Sequence, residues 1–212
     1  MVFNFSRKNK FLTQLSLKND KIELIKETKL LGTYITDDLR WNKNTAEIVK
    51  KAYRRMQLLH RAASFTRNIG DLRSIYLTYV RSILEQSAVV WHSSLSLRNI
   101  KDLERVQKSA SKIILGRNFL NYKNALKVLN LDNLQERRKK ICLKFAKNCL
   151  KNDKVKDLFP KNDQTIKMNL RNQRKYKIKK IRTERYKKSS LPYMQNLLNI
   201  EELKKRKEMK EI

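Results

Sequence analysis

Residues 44–63, with the sequence NTAEIVKKAYRRMQLLHRAA, carry the pattern that decides the fold. Apolar side chains recur at steps of three and four from Thr45 to Ala63, which is the period of an amphipathic helix. We expect Asn44 to cap this helix at its N-terminus. The opposite face of the helix is basic and carries Lys50, Lys51, Arg54, Arg55 and Arg61.

Two more helices follow with the same period. The first is expected to begin after Gly70, with Asp71 as its cap, and to run towards Trp91. The second carries apolar residues up to Ile114 and should end at Gly116. Because two of the three helices point almost only positive charge outward, we interpret their faces as a binding surface rather than as ordinary solvated faces. The second basic face carries Arg98, Lys101, Arg105, Lys108 and Lys112.

Alternating apolar residues before the first helix predict a small antiparallel β unit over residues 1–42. Asn19 and Asp20 supply a turn signal between its first strands. The apolar run 30–35 adds a further short strand, and Asp37-Asp38 ends the pattern.

The fold class predicted is therefore mainly α. Three glycines and two prolines in 212 residues leave few breakers and favour helices over a sandwich or barrel. The β unit is followed by a three-helix bundle at 43–117, by helices at 121–129 and 133–151 within a region 118–160, and by a basic, partly flexible tail at 161–212. A last, loosely packed helix is expected from Met194 to Lys210.

Net charge indicates the class of partner. Lys and Arg number 51 against 20 acidic residues, which gives a formal charge of +31. A charge of this size opposes compaction, so we expect a polyanion such as RNA, RNA·DNA hybrid or DNA to neutralise it. The apolar runs are far shorter than the roughly 20 residues that span a bilayer, so no membrane partner is expected.

The predicted tail carries the densest run of positive charge, with Glu184 as the single acid between residues 171 and 188. This composition is typical of an arm that becomes ordered on a phosphate backbone, where aromatic side chains stack on exposed bases. A merely solubilising tail is the alternative. The expected contacts are Arg174, Lys175, Tyr176, Lys177, Lys179, Lys180, Arg182, Arg185 and Tyr186.

The sequence offers no complete active site. Asp37-Asp38 resembles a metal-binding pair, but two-metal catalysis needs another converging carboxylate, so we interpret the pair as a turn. His60 and His92 have no ligand neighbours at metal-binding spacing, and three glycines cannot form a phosphate loop. We therefore expect no catalytic residues, no metal and no cofactor in this chain, and no enzymatic activity of its own.

The cysteines and the first residues bear on the compartment. Cys142 and Cys149 lie seven residues apart, about 10 Å along one helix, which is too far for a disulfide, so buried apolar roles are expected. Residues 1–11, MVFNFSRKNKF, place charge where a signal peptide needs its apolar stretch. We expect an intracellular protein of the nucleus or cytoplasm that is not secreted.

Several segments, in this order, resemble the reverse transcriptases of non-LTR (LINE, jockey-like) retrotransposons. Residues 29–35 (KLLGTYI) and 37–41 (DDLRW) are similar to the family's K-Y-L-G-V…D…L-T-W. Residues 77–91 (LTYVRSILEQSAVVW) are similar to its L-Y-x-S-x-V-R-P-I-L-E-Y-G-x-x-V-W, and 99–108 (NIKDLERVQK) to its I-x-x-L-E-x-V-Q-R-R-A. Shorter matches lie at 48–52, 129–131, 134–138 and 182–189, so the resemblance covers nearly the whole chain.

The resemblance implies a primer grip at Leu31, Gly32 and Thr33, with Gly32 permitting close approach of a sugar-phosphate. The bundle would be thumb-like and would grip an A-form hybrid through its backbone. The family's catalytic aspartates lie upstream of the L-G strand, so the palm would precede Met1 and would be a further partner. The parent polymerase would use Mg²⁺.

The chain departs from the family pattern at Ser82, Gln86 and Ser87, where the family has Pro, Tyr and Gly. The predicted function is an RNA- or RNA·DNA-hybrid-binding fragment of a retrotransposon RNA-directed DNA polymerase, without the palm aspartates. The alternative is a domesticated, stand-alone nucleic-acid-binding architectural or interaction protein.

Overall fold

The computed structural model describes residues 16–18, 20–23, 25–162, 174–178, 180 and 183–209. Their fold is mainly helical with a small antiparallel β part near the N-terminus, as the sequence predicts. The chain divides into two compact units. Unit 1 comprises residues 1–86 and 95–131, and unit 2 comprises 87–94 and 132–212. Residues 87–94, which the sequence places in the bundle at 43–117, belong to unit 2 together with the C-terminal part of the chain.

The β part of unit 1 consists of two short antiparallel pairs. The first joins β1 (Ser16–Leu17) to β2 (Asp20–Lys21). Asp20, which was expected in a turn, therefore stands in a strand, and Asn19 lies outside the described residues. The second joins β3 (Glu27–Leu30) to β4 (Thr33–Thr36). Residues 30–35 were expected to form one strand and instead straddle a hairpin turn, and the strands expected at 2–5 lie outside the described residues.

Leu31 and Gly32 are the two central residues of this hairpin turn. Their φ values are +47° and +83°, and positive φ at both positions is the requirement of a type I′ turn, whose twist matches that of the flanking strands. A Cβ on Gly32 would also lie 2.8 Å from Nε2 of Gln86. The geometry of the turn and the nearby side chain of Gln86 therefore account for glycine at position 32, and close approach of a sugar-phosphate is not needed to explain it.

Helix α1 (Asn42–Phe65) begins after Trp41, three residues earlier than a cap at Asn44 predicts. Asn44 does not cap it. Its side chain is buried, and its Oδ1 accepts a hydrogen bond from the backbone N–H of Tyr34 at 3.1 Å. The residue that resembled a cap therefore docks the β3–β4 hairpin on the first turn of α1.

Helix α2 (Ile69–Ile75) is capped by Asn68, whose Oδ1 accepts a hydrogen bond from the N–H of Gly70 at 2.8 Å. The predicted cap, Asp71, lies in the first turn instead. A π-helical segment (Tyr76–Arg81) and α3 (Ser82–Glu85) continue the helix.

The predicted extension of this helix to Trp91 is wrong. Gln86 leaves the helical region with ψ of 124°, and Ser87 follows with φ of +52° and ψ of 25°. The chain turns there before α4 (Ala88–Trp91), which belongs to unit 2. A left-handed serine gives no sequence signal comparable to glycine, so the break was not predicted.

Helix α5 (Leu97–Leu115) ends at Gly116, as expected. Gly116 has φ of +52°, a conformation that glycine adopts without a steric penalty. Helix α6 (Tyr122–Val128) packs on α5 and completes unit 1. The core of this unit is formed where α1, the π-helical segment and α5 meet, and it includes Leu59, Tyr76, Val80, Leu84, Leu103 and Val106.

Unit 2 is built on α7 (Leu134–Leu150) and α9 (Ser190–Glu208), with α4 and the short α8 (Glu184–Lys187) packed on them. Cys142 and Cys149 are buried and free, as predicted. The last helix is not loosely packed, because three of its residues enter the core. That core comprises Cys142, Ala146, Cys149, Phe159, Tyr176, Met194, Leu197 and Leu198.

Among the residues that the structure describes, no helix combines the length and the apolar character needed to cross a membrane.

Candidate nucleic-acid interface

The five predicted cationic residues of α1 are all exposed. Their exposure follows from the spacing of the apolar residues. Ile48, Ala52, Met56 and Leu59 form a buried stripe along one face of the helix, so the positions between them face solvent. Lys50, Arg54 and Arg61 follow one side of the helix by their spacing, while Lys51 and Arg55 follow another. No acidic residue occurs between Ile48 and Phe65.

The five predicted cationic residues of α5 are exposed as well. Arg105 forms an ion pair with Asp102 at 3.1 Å, but the arginine side chain is 68% exposed, so solvent screens this pair and leaves the guanidinium accessible. The ammonium of Lys112 lies 5.6 Å from the ring centroid of Phe119. From Arg105 to Leu115 the helix carries no acidic residue.

Helices α1 and α5 pack against each other, and contacts between their first turns and between their later parts show that they run in the same direction. Nδ2 of Asn99 donates to Oδ1 of Asn42 at 3.0 Å, which joins their first turns. Further along, the two helices flank an open groove of about 400 Å³, and it is lined by Tyr53, Met56, Gln57, His60, Ser109, Lys112 and Ile113. The acid-free parts of both helices therefore lie next to each other and concentrate positive potential on one part of unit 1.

A hydrogen-bonded chain fixes α5 against the neighbouring helices. Oη of Tyr76 donates to Oε1 of Gln107 at 2.6 Å, and Nε2 of Gln107 donates to Oη of Tyr122 at 3.0 Å. Oη of Tyr122 donates to Oε2 of Glu104 at 2.5 Å. Burial is the main reason that the pKa of Tyr76 lies well above its usual value of 10.0, so the phenol remains a donor. The basic face of α5 is thereby held on a fixed helix.

The residues expected at a primer grip differ in exposure. Leu31 is 90% exposed at the hairpin tip, Gly32 is exposed beside it, and Thr33 is buried at the start of β4. The hairpin presents two apolar side chains to solvent, because Leu30 is 58% exposed.

The predicted arm is partly incorporated into unit 2, which corrects one of its expected contacts, that of Tyr176. Tyr176 is only 4% exposed, and Asn199 holds it by accepting from its backbone N–H at 2.9 Å and donating to its carbonyl at 3.0 Å. It packs among Phe159, Met194 and Leu197 and cannot stack on a base. Lys175 is half-buried and pairs with Glu202 at 3.2 Å.

The other residues of the predicted arm fall into two groups. Lys179 and Arg182 lie outside the described residues. The remaining ones are exposed and include one aromatic side chain, that of Tyr186 at 42%. These exposed residues are Arg174, Lys177, Lys180, Arg185 and Tyr186.

Searches among models of protein families, curated proteins and solved structures each found no match to this chain.

Asp37 and Asp38 form the turn that the sequence predicts. Oδ1 of Asp38 accepts from Oγ1 of Thr36 at 2.7 Å and from the N–H of Arg40 at 2.9 Å, the pattern of an aspartate-stabilised turn. Within the described ranges, no three His, Cys, Asp or Glu side chains come together as metal ligands.

Unit 2 contains a buried arginine, Arg138, in contact with His92. Arg138 is fully buried, its guanidinium lies 5.6 Å from the ring centroid of Trp91, and its Nε donates to Nδ1 of His92 at 3.4 Å. Burial, and then the positive charges of Arg138 and Lys139, lower the pKa of His92 to about 4. The imidazole is therefore neutral, which suits a structural role in holding the segment after α4 on α7.

The groove on unit 1 is the feature that sequence reasoning missed. Tyr53 and His60 carry no signal of their own, because their position beside Ser109 depends on how α1 packs on α5. The sequence gives one hint. Tyr53, Gln57 and His60 are spaced by four and three residues, which places them on the same face of a helix.

Proposed function

We propose that this chain binds RNA or RNA·DNA hybrid without catalysing synthesis, as the primer-grip and thumb-like part of a non-LTR retrotransposon reverse transcriptase. The observation that carries the proposal is the pair of parallel helices α1 and α5, whose adjacent acid-free segments expose five and three cationic side chains. A polyanion is the partner that such a surface fits best, because neutralising phosphates releases condensed counterions.

The proposed contact is directed at the nucleic-acid backbone rather than at base sequence. Lysine and arginine side chains on a helix reach phosphate oxygens, and phosphate contacts set position without reading sequence. An A-form hybrid presents regularly spaced phosphates and sugar hydroxyls, which a rigid row of cations can follow.

Two backbone features support the retrotransposon part of the proposal. Ser87 stands where the family pattern has glycine, and its φ of +52° is a conformation that favours glycine. The Leu31-Gly32 pair, similar to the family's L-G, forms the tip of a hairpin with an exposed leucine. Both features are what a chain descended from that pattern would retain.

The proposal is tested by titrating the chain with fluorescent RNA·DNA hybrid, RNA duplex and DNA duplex at a series of salt concentrations. We expect tight binding at low salt and a steep loss of affinity as salt rises, with little dependence on base sequence. Absent or salt-independent binding would contradict the proposal. Primer extension with Mg²⁺ and deoxynucleotides should remain at background, and robust extension would overturn the non-catalytic part.

A triple variant locates the interface. Changing Lys50, Arg54 and Arg61 to Gln removes one row of α1, and each lost phosphate contact should reduce the slope of log affinity against log salt by about 0.7–0.9. The control changes Lys144, Lys151 and Lys154 to Gln, which removes the same charge from exposed positions of unit 2. Equal reductions in both variants would indicate attraction by net charge alone and contradict an interface on α1.

A further inference from the structure

We propose that the groove between α1 and α5 holds one unpaired nucleotide of a single-stranded segment adjoining the bound duplex. This inference rests on the proposed function and specifies its substrate, namely a hybrid with a single-stranded extension rather than a uniform duplex. Tyr53 and Lys112, from the two helices, are the residues that would contact the base and its phosphate.

The lining of the groove combines an apolar floor with polar groups at its sides. Met56 is 4% exposed and forms the floor with Ile113, while the Tyr53 side chain is 39% exposed and available for stacking. An aromatic ring against an apolar floor suits the face of any base, and such stacking tolerates sequence because every base has a π-face.

Three hydrogen-bonding side chains also line the groove, and in the proposed arrangement they would meet the edge of the stacked base. Gln57 and His60 follow Tyr53 by one and two helical turns and line the same groove, and Ser109 faces them from α5. An amide, an imidazole and a hydroxyl offer both donors and acceptors. The groove volume of about 400 Å³ falls within the range of about 300–1,000 Å³ typical of small-ligand sites.

The charges around the groove favour a nucleotide over an apolar occupant such as a partner helix. Lys50 and Arg54 lie one helical turn from the groove residues of α1, and Arg105 and Lys108 lie one turn from those of α5. No acidic residue lies within these stretches. An apolar helix would leave the cations unneutralised, whereas the phosphates on either side of an inserted base would pair with them.

An unpaired nucleotide fits this groove better than a base pair does. Bases inside a duplex are stacked on each other and present only their edges in the grooves of the nucleic acid, so their faces cannot reach Tyr53. A nucleotide in a single-stranded extension exposes both faces and needs little energy to leave its neighbours.

The test uses the full chain and two ligands, a blunt RNA·DNA hybrid and the same hybrid with a short single-stranded extension. We expect the extended hybrid to bind more tightly. Tyr53→Ala should weaken binding of the extended hybrid about 5-fold or more and leave the blunt hybrid unchanged. Tyr53→Phe keeps the ring and should retain the preference. Tyr79→Ala, at a tyrosine that is 48% exposed outside the groove, is the matched control and should change neither affinity.

Photocrosslinking identifies the site directly. With 5-iodouridine in the extension, mass spectrometry should find the crosslink at Tyr53, Met56 or His60. Equal affinity for the two hybrids, or crosslinks only outside the groove, would overturn the inference and leave the proposed function intact. If free uridine monophosphate displaced the bound hybrid while the extended and blunt hybrids bound equally tightly, the groove would be a mononucleotide site and the inference would be overturned. Failure to bind either hybrid would instead remove the proposed function, and this inference with it.

Discussion

At the scale of single residues, the neutral imidazole of His92 links Arg138 to Tyr193 within unit 2. A guanidinium has no acceptor, so Nδ1 of His92 must accept from Arg138, and the ring proton resides on Nε2. Nε2 lies 3.5 Å from Oη of Tyr193, to which it donates. Burial raises the pKa of Tyr193 to about 12, so the phenol is neutral as well. A proton added to His92 would disrupt this arrangement, because both ring nitrogens would become donors.

This arrangement predicts a pH dependence of stability. The pKa of His92 falls from 6.5 to about 4 on folding, so the unfolded chain binds the proton first as pH falls. The free energy of unfolding should be unaffected by this group above pH 6.5. It should fall progressively between pH 6.5 and about 4, by about 3 kcal/mol in total. Urea unfolding at a series of pH values measures it.

Two variants isolate the contribution of His92. In His92→Asn the amide oxygen replaces Nδ1 as the acceptor for Arg138, and we expect lower stability at pH 7 but a flatter decline towards pH 4. His60→Asn removes an exposed imidazole from unit 1 and should preserve the decline. An unchanged decline in His92→Asn would assign the pH dependence to other groups.

At the scale of elements, α9 shows the difference between a tail and a packed helix. Leu198 is 3% exposed within the core of unit 2, whereas Ile200 on the same helix is 42% exposed. We expect Leu198→Ala to cost about 2–5 kcal/mol of unfolding free energy, because it removes buried methyl groups and leaves a cavity. Ile200→Ala should cost less than about 1 kcal/mol. Equally small losses, measured by denaturant unfolding, would mean that α9 is only loosely attached.

The elements also show which structure was predictable. Gly116 at the end of α5, and the asparagine before each of the next two helices, are local signals and gave correct helix limits. Asn121 and Asn133 cap α6 and α7 through Oδ1, which accepts backbone N–H groups at 2.9 Å and 2.8 Å. Asn44 carries the same local signal, but its side chain accepts a hydrogen bond from Tyr34, ten residues earlier. This tertiary contact uses the oxygen that would otherwise cap the helix.

The candidate site was predictable in part, for the same reason. The exposure of the cationic side chains on α1 and α5 follows from apolar periodicity and was correctly predicted. The burial of Tyr176 was not, because its surroundings are basic in sequence and its packing partners on α9 lie about twenty residues away. The groove beside Tyr53 required knowledge of which face of α5 meets α1.

At the scale of the whole molecule, the charge of +31 should act on stability and on binding in opposite directions. Added sodium chloride screens repulsion among the cations of the folded state and should raise the melting temperature. The same salt competes with the chain for phosphates and should weaken binding of nucleic acid. Thermal unfolding and binding, measured over one salt series, provide the test. A melting temperature that falls with salt would mean that ion pairs such as Lys147–Glu201 contribute more than the repulsion.

The discontinuous construction of unit 2 has a consequence for synthesis on the ribosome. Residues 87–94 leave the ribosome together with unit 1, but the helices that bury Trp91 come from residues after 132. At about 5–20 residues per second, translation from Leu131 to the end of α9 lasts roughly 4–15 s. During that interval Trp91, at the end of α4, would remain uncovered in the nascent chain, and we expect it to offer a chaperone a binding site that is buried in the finished protein.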